Sequence, residues 1–405
     1  MIELGFREGG YLHYFDRGVT AAAYGHMIVM RAGSASVVTR DERTGAIPGG
    51  GRCRPGDRPL TGPLFYVCEQ GAGITRERAA DGFVYRFPSG RRVKGQRTLE
   101  RIRRLAIPPA WDDVWICRNP DGHLQATGRD AKGRKQYRYH EAWRELRDAD
   151  KFGRLASFGH ALPDIRKRAE ADLSRRGLSM EKVLGLVVLL LDETLLRVGN
   201  EEYARQNEAY GLTTLRDRHA FVHGEELRLI FRGKGGNARM ADLRNRRLAR
   251  VVKRSQELPG EILFQYLDDE GNPVPITSGD VNEYLRSIAG REFSAKDFRT
   301  WGGTLVAARE LATKGPTPRG KRLITARLND ALDSAATHLG NTRAIARRSY
   351  VHPGVITSFI EGSLTGTWAA AAARAGGRSG EGSLGPDEQA LLAILGGADV
   401  SEPVR

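Results

Sequence analysis

The sequence predicts an α+β fold, with a small β-rich N-terminal domain followed by a larger, mainly helical domain. Short runs of β-forming residues alternate with turn signals such as PSG and PDG from residue 64 to about 145. From about residue 150 the pattern changes to longer segments with helical spacing of apolar residues. We therefore expect four regions, namely a flexible Gly/Arg-rich extension at 1–63, a β-rich domain at 64–147, a helical domain at 148–366 and a flexible tail at 367–405.

The small domain contains four β-type runs and one helix. The runs are FYV, FVYRF, DVWICR and KQYRYH, and the helical stretch TLERIRRLA at 98–106 interrupts them. Before them, GAIPGGGRCRPGDRPLTGP at 45–63 is typical of a loop or linker, because glycine and proline interrupt regular structure.

The clearest predicted helix of the helical domain begins at Ser179. Ser179 is a good N-cap and Glu181 lies in the first turn, so we expect a helix through LVVLLLDETLLR that ends at Gly199. Residues 219–236, HAFVHGEELRLIFRGKGG, predict a pair of strands with a glycine-flanked turn beyond them. Further helices are expected at 279–289, at 295–312 behind a capping box of Ser294 and Asp297, at 322–338, and at about 342–350 before Pro353.

The charge balance indicates a polyanionic partner. The 405 residues include 64 Lys and Arg against 49 Asp and Glu, a formal net charge of +15. Basic residues are concentrated in three distant runs, at 129–138, 232–254 and 314–327. Any one run is equally well explained as a solvated face, but three of them favour a binding surface.

Cysteine and apolar patterns argue against secretion and membrane insertion. Three cysteines without CxxC spacing suggest neither a disulfide framework nor a zinc ribbon, which fits a reducing cytoplasm. The longest apolar run, VLGLVVLLL at 183–191, is far shorter than the roughly 20 residues that a membrane span needs. The N-terminus MIELGFREGG also lacks the apolar stretch of a signal peptide.

Motifs for nucleotide and metal binding are missing from the sequence. No GxxxxGK[ST] occurs, since Lys234 in RGKGG is followed by glycine. His219 and His223 are four apart in a strand-like stretch without a carboxylate partner of metal-site type. We therefore expect no metal and no cofactor.

Phosphodiester exchange without a metal requires particular side chains. Fixed cations must stabilise the charge on the nonbridging oxygens, and arginine suits this because its planar fork engages two oxygens. A general acid, for which lysine is a candidate, must protonate the leaving alkoxide. A phenol with a pKa near 10 ionises more readily than a serine hydroxyl and gives an ester that is easier to reverse.

Five residues fit these requirements. Tyr350 lies in NTRAIARRSYVHPG, Arg197 in LLRVGNEEYARQ, Lys234 in FRGKGG, Arg299 in KDFRTWGGT, and Asn341 begins the segment that leads to the tyrosine. Each also has an ordinary structural explanation: a helix-terminal or surface arginine, a turn lysine, an N-cap asparagine, or a tyrosine packed into a core. Composition and spacing alone leave both readings open.

The chain resembles the type IB DNA topoisomerases, in particular their compact poxvirus-like bacterial branch. The motifs that carry the resemblance, from about Leu64 to about Gly366, are HLQATGRDAKGRKQYRYH, LLRVGNEEYARQNEAYGLTTL, FRGKGG, KDFRTWGGT and NTRAIARRSYVHP. It implies that Tyr350 forms a 3′-phosphotyrosyl link, that Arg197 and Arg299 clamp the nonbridging oxygens, and that Lys234 protonates the leaving 5′ oxygen. Poxvirus enzymes carry histidine where this chain has Asn341, which can donate a hydrogen bond but no charge.

The resemblance also implies that the two domains close as a clamp around double-stranded DNA. The protein would then relax positive and negative supercoils without ATP or metal, and it would act as a monomer at the bacterial nucleoid. The segment GRDAKGRKQYRYH would belong to the DNA face of the small domain. The residues expected to contact DNA are Lys132, Arg134, Lys135, Gln136, Tyr137, Tyr139, Tyr203 and Lys296.

Two alternatives remain. A tyrosine recombinase uses a similar set of arginines, lysine and tyrosine on a related fold, but it needs synapsis between paired sites. A basic DNA-binding protein without catalysis would bind duplex with a steep salt dependence and leave supercoils unchanged.

Overall fold

The computed structural model describes residues 64–131, 133–290, 293–375 and 382–396, together with three two-residue strands upstream. These are β1 (Met30–Arg31), β2 (Ser34–Ala35) and β3 (Arg58–Pro59). Strand β1 pairs with β2, and β3 pairs with β4 (Phe65–Tyr66). The predicted flexible extension at 1–63 otherwise lies outside the described residues.

A five-stranded antiparallel sheet forms the small domain, and it contains three of the four predicted β-type runs, FVYRF, DVWICR and KQYRYH. Its strands over 74–79 and 124–129 were not predicted, and the run FYV lies outside it. The strands lie in the order β6-β5-β7-β8-β9. They are β5 (Ile74–Ala79), β6 (Gly82–Arg86), β7 (Asp112–Ile116), β8 (Leu124–Arg129) and β9 (Lys135–Tyr139). Helix α1 (Gln96–Arg104) covers one face, where Ile102 is buried with Ile74, Val114 and Ile116.

Edge strand β9 leads directly into the helical part of the chain. Its side chains alternate, so that Lys135, Tyr137 and Tyr139 are exposed while Gln136 is half-buried. Helix α2 (Glu141–Gly153) starts behind His140, whose Nδ1 accepts a hydrogen bond from the backbone N–H of Ala142 at 3.1 Å. One helix therefore joins the edge strand to the helical domain.

The helical domain surrounds α4, which is buried along most of its length. No described helix is long and apolar enough to cross a membrane. The elements after α2 are α3 (Leu155–Leu173), α4 (Met180–Thr194), α5 (Glu201–Asn207), β10 (Ala220–His223), β11 (Glu226–Arg232), β12 (Ala238–Arg244), α6 (Arg246–Ser255), β13 (Gln265–Leu267), β14 (Pro273–Pro275), α7 (Ser278–Ala289), α8 (Ala295–Thr313), α9 (Lys321–Leu339), α10 (Arg343–Ser349), α11 (Pro353–Ile360), α12 (Leu364–Ala375) and α13 (Pro386–Gly396).

Helix α4 ends earlier than the sequence predicts. Ser179 caps it as expected, and its hydroxyl accepts a hydrogen bond from the N–H of Lys182 at 3.4 Å. Leu195 then adopts a left-handed conformation with φ of 54°, which stops the helix. Leu195 packs on α8 at Gly302, where a Cβ would come within 2.3 Å of the leucine side chain. The prediction that the helix continues to Gly199 is wrong, and Arg197 lies in the irregular segment beyond it.

The pair of strands predicted at 219–236 is part of a three-stranded sheet. Strand β11 pairs with β10 on one side and with the unpredicted β12 on the other. The turn between β11 and β12 carries Lys234, and Gly235 and Gly236 follow it with φ of 84° and 81°. Glycine adopts these left-handed angles without steric cost, which explains the GKGG sequence.

The start of α8 confirms the predicted pairing of Ser294 with Asp297. The Asp297 carboxylate accepts a hydrogen bond from the N–H of Ser294 at 2.8 Å. Pro353 has a different role from the one expected, because it begins α11 at the first helical position instead of only ending α10.

The segment after residue 367 contradicts the prediction of a flexible tail where it is described. Helices α12 and α13 pack on each other and on α8. Alanine favours helix strongly, and Ala390 and Leu391 are fully buried. Arg166 of α3 donates to Glu388 of α13 at 2.8 Å, which ties this segment to the domain. The apolar side chains of α13 thus complete the core instead of remaining in solvent.

Candidate active site

Four of the predicted catalytic residues line one cleft of about 310 Å³. Arg197 follows α4, Lys234 lies in the β11–β12 turn, Arg299 lies in α8, and Tyr350 ends α10. Lys296, which the sequence assigned to DNA contact, lines the same cleft. The fold therefore brings together residues that are up to 153 positions apart in the sequence.

Tyr350 is held by α10 and α8. Its backbone N–H donates to Ala346 at 2.9 Å, and its carbonyl accepts a hydrogen bond from the Thr304 hydroxyl at 2.9 Å. Gly303 permits this close approach, because a Cβ there would come within 2.8 Å of Leu339 and 3.3 Å of Tyr350. The end of α10 is thereby fixed against the helix that carries Arg299.

The arginines next to Tyr350 in the sequence are not the ones that surround it. Arg343 pairs with Asp333 at 2.6 Å, and Arg347 and Arg348 are exposed on α10. The guanidinium carbon of Arg299 instead lies 5.0 Å from the centroid of the Tyr350 ring. The local basic run is a solvated helix face, and the positive charge at the phenol comes from distant parts of the chain.

Arg299 is a buried cation fixed by the ends of two helices. It is 3% exposed, and its two terminal nitrogens donate to the carbonyl of Leu195 at the end of α4 and to that of Leu339 at the end of α9, the latter at 2.9 Å. Both carbonyls lie at the negative ends of helix dipoles. Burial, together with the charge of Arg197, lowers the pKa of Arg299 to about 10, so the guanidinium remains protonated at neutral pH.

The surrounding cations favour ionisation of Tyr350. Burial by itself raises the pKa of the phenol, because it penalises the charged form. The positive charges of Arg299, Arg197 and Lys296 outweigh burial and bring the pKa of Tyr350 below its ordinary value of 10.0. At a given pH a larger fraction of this phenol is ionised than of an isolated tyrosine.

Asn341 joins the site through Arg197. Its Oδ1 accepts a hydrogen bond from Arg197 Nη2 at 2.6 Å, which orients the guanidinium. Asn341 does not cap α10, since Thr342 does so with its hydroxyl. The Nδ2 of Asn341 and the Nε of Arg299 are buried and have no hydrogen-bond partner among the described residues. Arg299 lines the cleft, whereas Asn341 is not among the lining residues and meets the site through Arg197.

Arg239 of β12 belongs to the same cluster, and the sequence analysis missed it. Its Nη2 donates to the carbonyl of His338 at 3.1 Å, and its guanidinium packs where a Cβ on Gly340 would lie, 1.8 Å from Nη1. Burial and the charge of Arg197 lower the pKa of Arg239. Residues 232–254 include nine basic side chains, and composition does not distinguish Arg239 from the others. The one distinguishing signal is the alternation of exposed and half-buried positions along β12, which puts Arg239 on the inward face.

Five of the residues predicted to contact DNA lie on or beside β9, and they divide between its two faces. The rings of Tyr137 and Tyr139 stack at 6.0 Å on the exposed face, which they share with Lys135. Gln136 lies on the opposite face, where it and Arg134 donate to Asp130, at 3.0 and 2.8 Å. Lys132 and the side chain of Tyr203 lie outside the described part of the structure.

His219, which the sequence pairs with His223, has a structural role. His219 Nδ1 accepts a hydrogen bond from the N–H of Arg216 at 3.0 Å, and its ring lies 4.6 Å from that of Tyr210. In the described parts of the chain, His, Cys, Asp and Glu side chains form no group of three that could hold a metal ion.

Comparison with known proteins places both domains in the same family. Residues 140–362 match the model for the catalytic core of eukaryotic DNA topoisomerase I, and residues 82–130 match the model for the N-terminal domain of bacterial DNA topoisomerase IB. The chain is 35% identical to DNA topoisomerase 1B of Acanthamoeba polyphaga mimivirus, over 69% of this chain and 85% of that protein. It is 24% identical to DNA topoisomerase 1B of vaccinia virus strain Copenhagen, over 62% of this chain and 79% of the viral protein. DNA topoisomerase 1 of Schizosaccharomyces pombe is 26% identical over 50% of this chain and 23% of its own length.

Proposed function

The chain belongs to the type IB DNA topoisomerases, isomerases that act on DNA, and we propose that Tyr350 is the nucleophile with which it opens and reseals one strand. Family membership favours this activity over the recombinase and the non-catalytic binding protein that the sequence left open. The observation that carries the proposal is the cleft in which Tyr350 meets Arg197, Lys234 and Arg299.

Cleavage exchanges one phosphodiester for another. The phenolic oxygen of Tyr350 attacks phosphorus and loses its proton to solvent, and the bond from phosphorus to the 5′ oxygen breaks. The products are a 3′-phosphotyrosyl ester and a 5′-hydroxyl, and resealing is the reverse attack by that hydroxyl. No net bond energy is lost, so the reaction requires neither ATP nor an external nucleophile.

The cations of the cleft supply the two forms of catalysis that the exchange needs. Arg197 and Arg299 stabilise charge on the nonbridging oxygens in the transition state, and Asn341 holds the guanidinium of Arg197 in place. Lys234 gives its proton to the leaving 5′ oxygen. Because Lys234 lies in an exposed glycine turn, its side chain can approach the DNA backbone.

The exposed face of β9 suits the groove of a DNA duplex. Lys135, which pairs with Glu69 in the absence of DNA, can exchange that partner for a phosphate, and the stacked Tyr137 and Tyr139 offer apolar edges to bases or sugars. We propose that a single copy of the chain encloses double-stranded DNA between its two domains at the nucleoid. Torsional strain of either sign would then rotate the free 5′ end before resealing.

Relaxation of supercoiled plasmid tests this function. Negatively or positively supercoiled plasmid is incubated with the protein in EDTA without ATP, and the reaction is stopped with detergent. We expect relaxation by the wild type and none by Tyr350→Phe, which should bind DNA with nearly unchanged affinity. Relaxation by the Phe variant would refute the assignment of the nucleophile. Exchange between paired sites would indicate a recombinase, and binding without relaxation by the wild type would indicate a protein that lacks the activity.

A further inference from the structure

The C-terminal end of helix α2 contacts both segments that hold the reacting groups. Lys151 Nζ donates to the backbone carbonyl of Ser349 at 3.0 Å, and Ser349 immediately precedes Tyr350. One turn further on, Arg154 Nη2 donates to Asp297 Oδ1 at 3.1 Å, two residues before Arg299. A four-residue stretch therefore ties α10 and α8 to the helix that comes from the small domain.

Lys151 is buried, which is unusual for a lysine. It is 6% exposed, and its Nζ lies 4.0 Å from the centroid of the Phe152 ring. A buried ammonium gives up its hydration, so its hydrogen bonds and the aromatic face must compensate. Phe152 in turn meets the ring of His352 edge-on at 5.3 Å. The junction thus touches the chain on both sides of Tyr350.

Only one residue, His140, separates the same helix from edge strand β9. The hydrogen-bonded ladder of a helix makes it stiffer than a loop, so a shift of the strand moves the far end of α2 with it. At that far end the buried side chain of Lys151 donates directly to the carbonyl of the Ser349–Tyr350 peptide bond. The path from the face of Tyr137 and Tyr139 to Tyr350 therefore consists of one helix and one hydrogen bond.

We propose that Lys151 is a positioning residue for Tyr350, through which α2 transmits the engagement of the β9 face with DNA to the nucleophile. The inference rests on the proposed function, because it takes Tyr350 as the attacking group. Before cleavage, the segment around Ser349 depends on Lys151 for its placement. In the covalent intermediate the phosphotyrosyl ester itself holds the tyrosine in the site. Loss of Lys151 is therefore expected to slow cleavage more than religation.

The test compares Lys151→Met with Lys167→Met, which removes an exposed lysine of α3. Methionine retains most of the apolar chain over Phe152 but cannot donate a hydrogen bond. At saturating duplex we expect Lys151→Met to cleave at least tenfold more slowly, the loss typical of a charged hydrogen bond. Religation should slow less, so the covalent fraction at equilibrium should fall. Lys151→Arg, which retains a donor, should lie between wild type and Lys151→Met, and Lys167→Met should match the wild type.

A merely structural role gives a different result. It would lower the melting temperature and the active fraction and leave the ratio of cleavage to religation unchanged, which would overturn the proposal. Unchanged cleavage by Lys151→Met would overturn it as well. If Lys151→Met does not fold, the same ratio measured on Lys151→Arg decides. Tyr350→Phe is run in parallel, because cleavage by that variant would refute the nucleophile itself and not the positioning role alone.

Discussion

Removing the ammonium of Lys234 tests which group protonates the leaving 5′ oxygen. Lys234 is exposed in the β11–β12 turn, so Lys234→Ala should change the free energy of unfolding by no more than about 0.5 kcal/mol. A positioned general acid contributes roughly 10²- to 10⁴-fold to the rate. At about 1.36 kcal/mol per tenfold, the activation free energy of cleavage should rise by about 2.7–5.4 kcal/mol.

The assay measures single-turnover cleavage of two duplexes that differ in one atom. One duplex carries the normal 5′ oxygen at the cleavage site, and the other carries sulfur at that position, a leaving group that needs no proton. We expect Lys234→Ala to lose activity on the oxygen duplex and to cleave the sulfur duplex at nearly the wild-type rate. Lys253→Ala, at an exposed lysine of α6, controls for the loss of a positive charge. Equal losses on both duplexes would remove the general-acid role from Lys234.

Three further predictions follow from the site and its support. Arg239→Ala should slow cleavage on the order of tenfold on both the oxygen and the sulfur duplex, because its charge acts beside Arg197 and not on the leaving group. Rescue of this variant by the sulfur duplex would instead indicate that Arg239 supports the turn that carries Lys234. A spectroscopic titration of the wild type should show an additional tyrosine ionisation below pH 10 that is absent from Tyr350→Phe, and cleavage should accelerate as the pH rises toward that pKa; identical titrations of the two proteins would contradict the lowered pKa. Glu388→Ala should lower the free energy of unfolding by about 3 kcal/mol, measured by denaturant titration, since it removes the buried one of the two carboxylates that hold the half-buried Arg166; a change below about 1 kcal/mol would show that α13 contributes little.

Local signals in the sequence predicted the elements that depend on local physics. Ser179 and the Ser294–Asp297 pair fixed the starts of α4 and α8, because a cap needs only residues within one turn. The glycines after Lys234 indicated a turn for the same reason. The proposed catalytic residues were selected by resemblance to known motifs, since spacing alone did not separate Arg197 and Arg299 from the other basic residues.

What the sequence did not predict depends on tertiary contacts. The left-handed Leu195 that ends α4 is stabilised by packing on Gly302, more than 100 residues away. Helix α13 has a short apolar pattern, and its place in the core depends on the burial of Ala390 and Leu391 and on the pairing of Glu388 with the half-buried Arg166. Lys151 is one lysine among many in the sequence, and its burial beside Ser349 appears only when α2 is docked.

The covalent adduct itself gives the most direct test of this account. Protein that has reacted with a duplex is denatured, digested with nuclease and protease, and analysed by mass spectrometry for the nucleotide-bearing peptide. We predict a nucleotide joined through its 3′ phosphate to the side chain of Tyr350, with a free 5′-hydroxyl on the released strand. An adduct on any other residue, or a 5′-linked nucleotide on Tyr350, would contradict the mechanism.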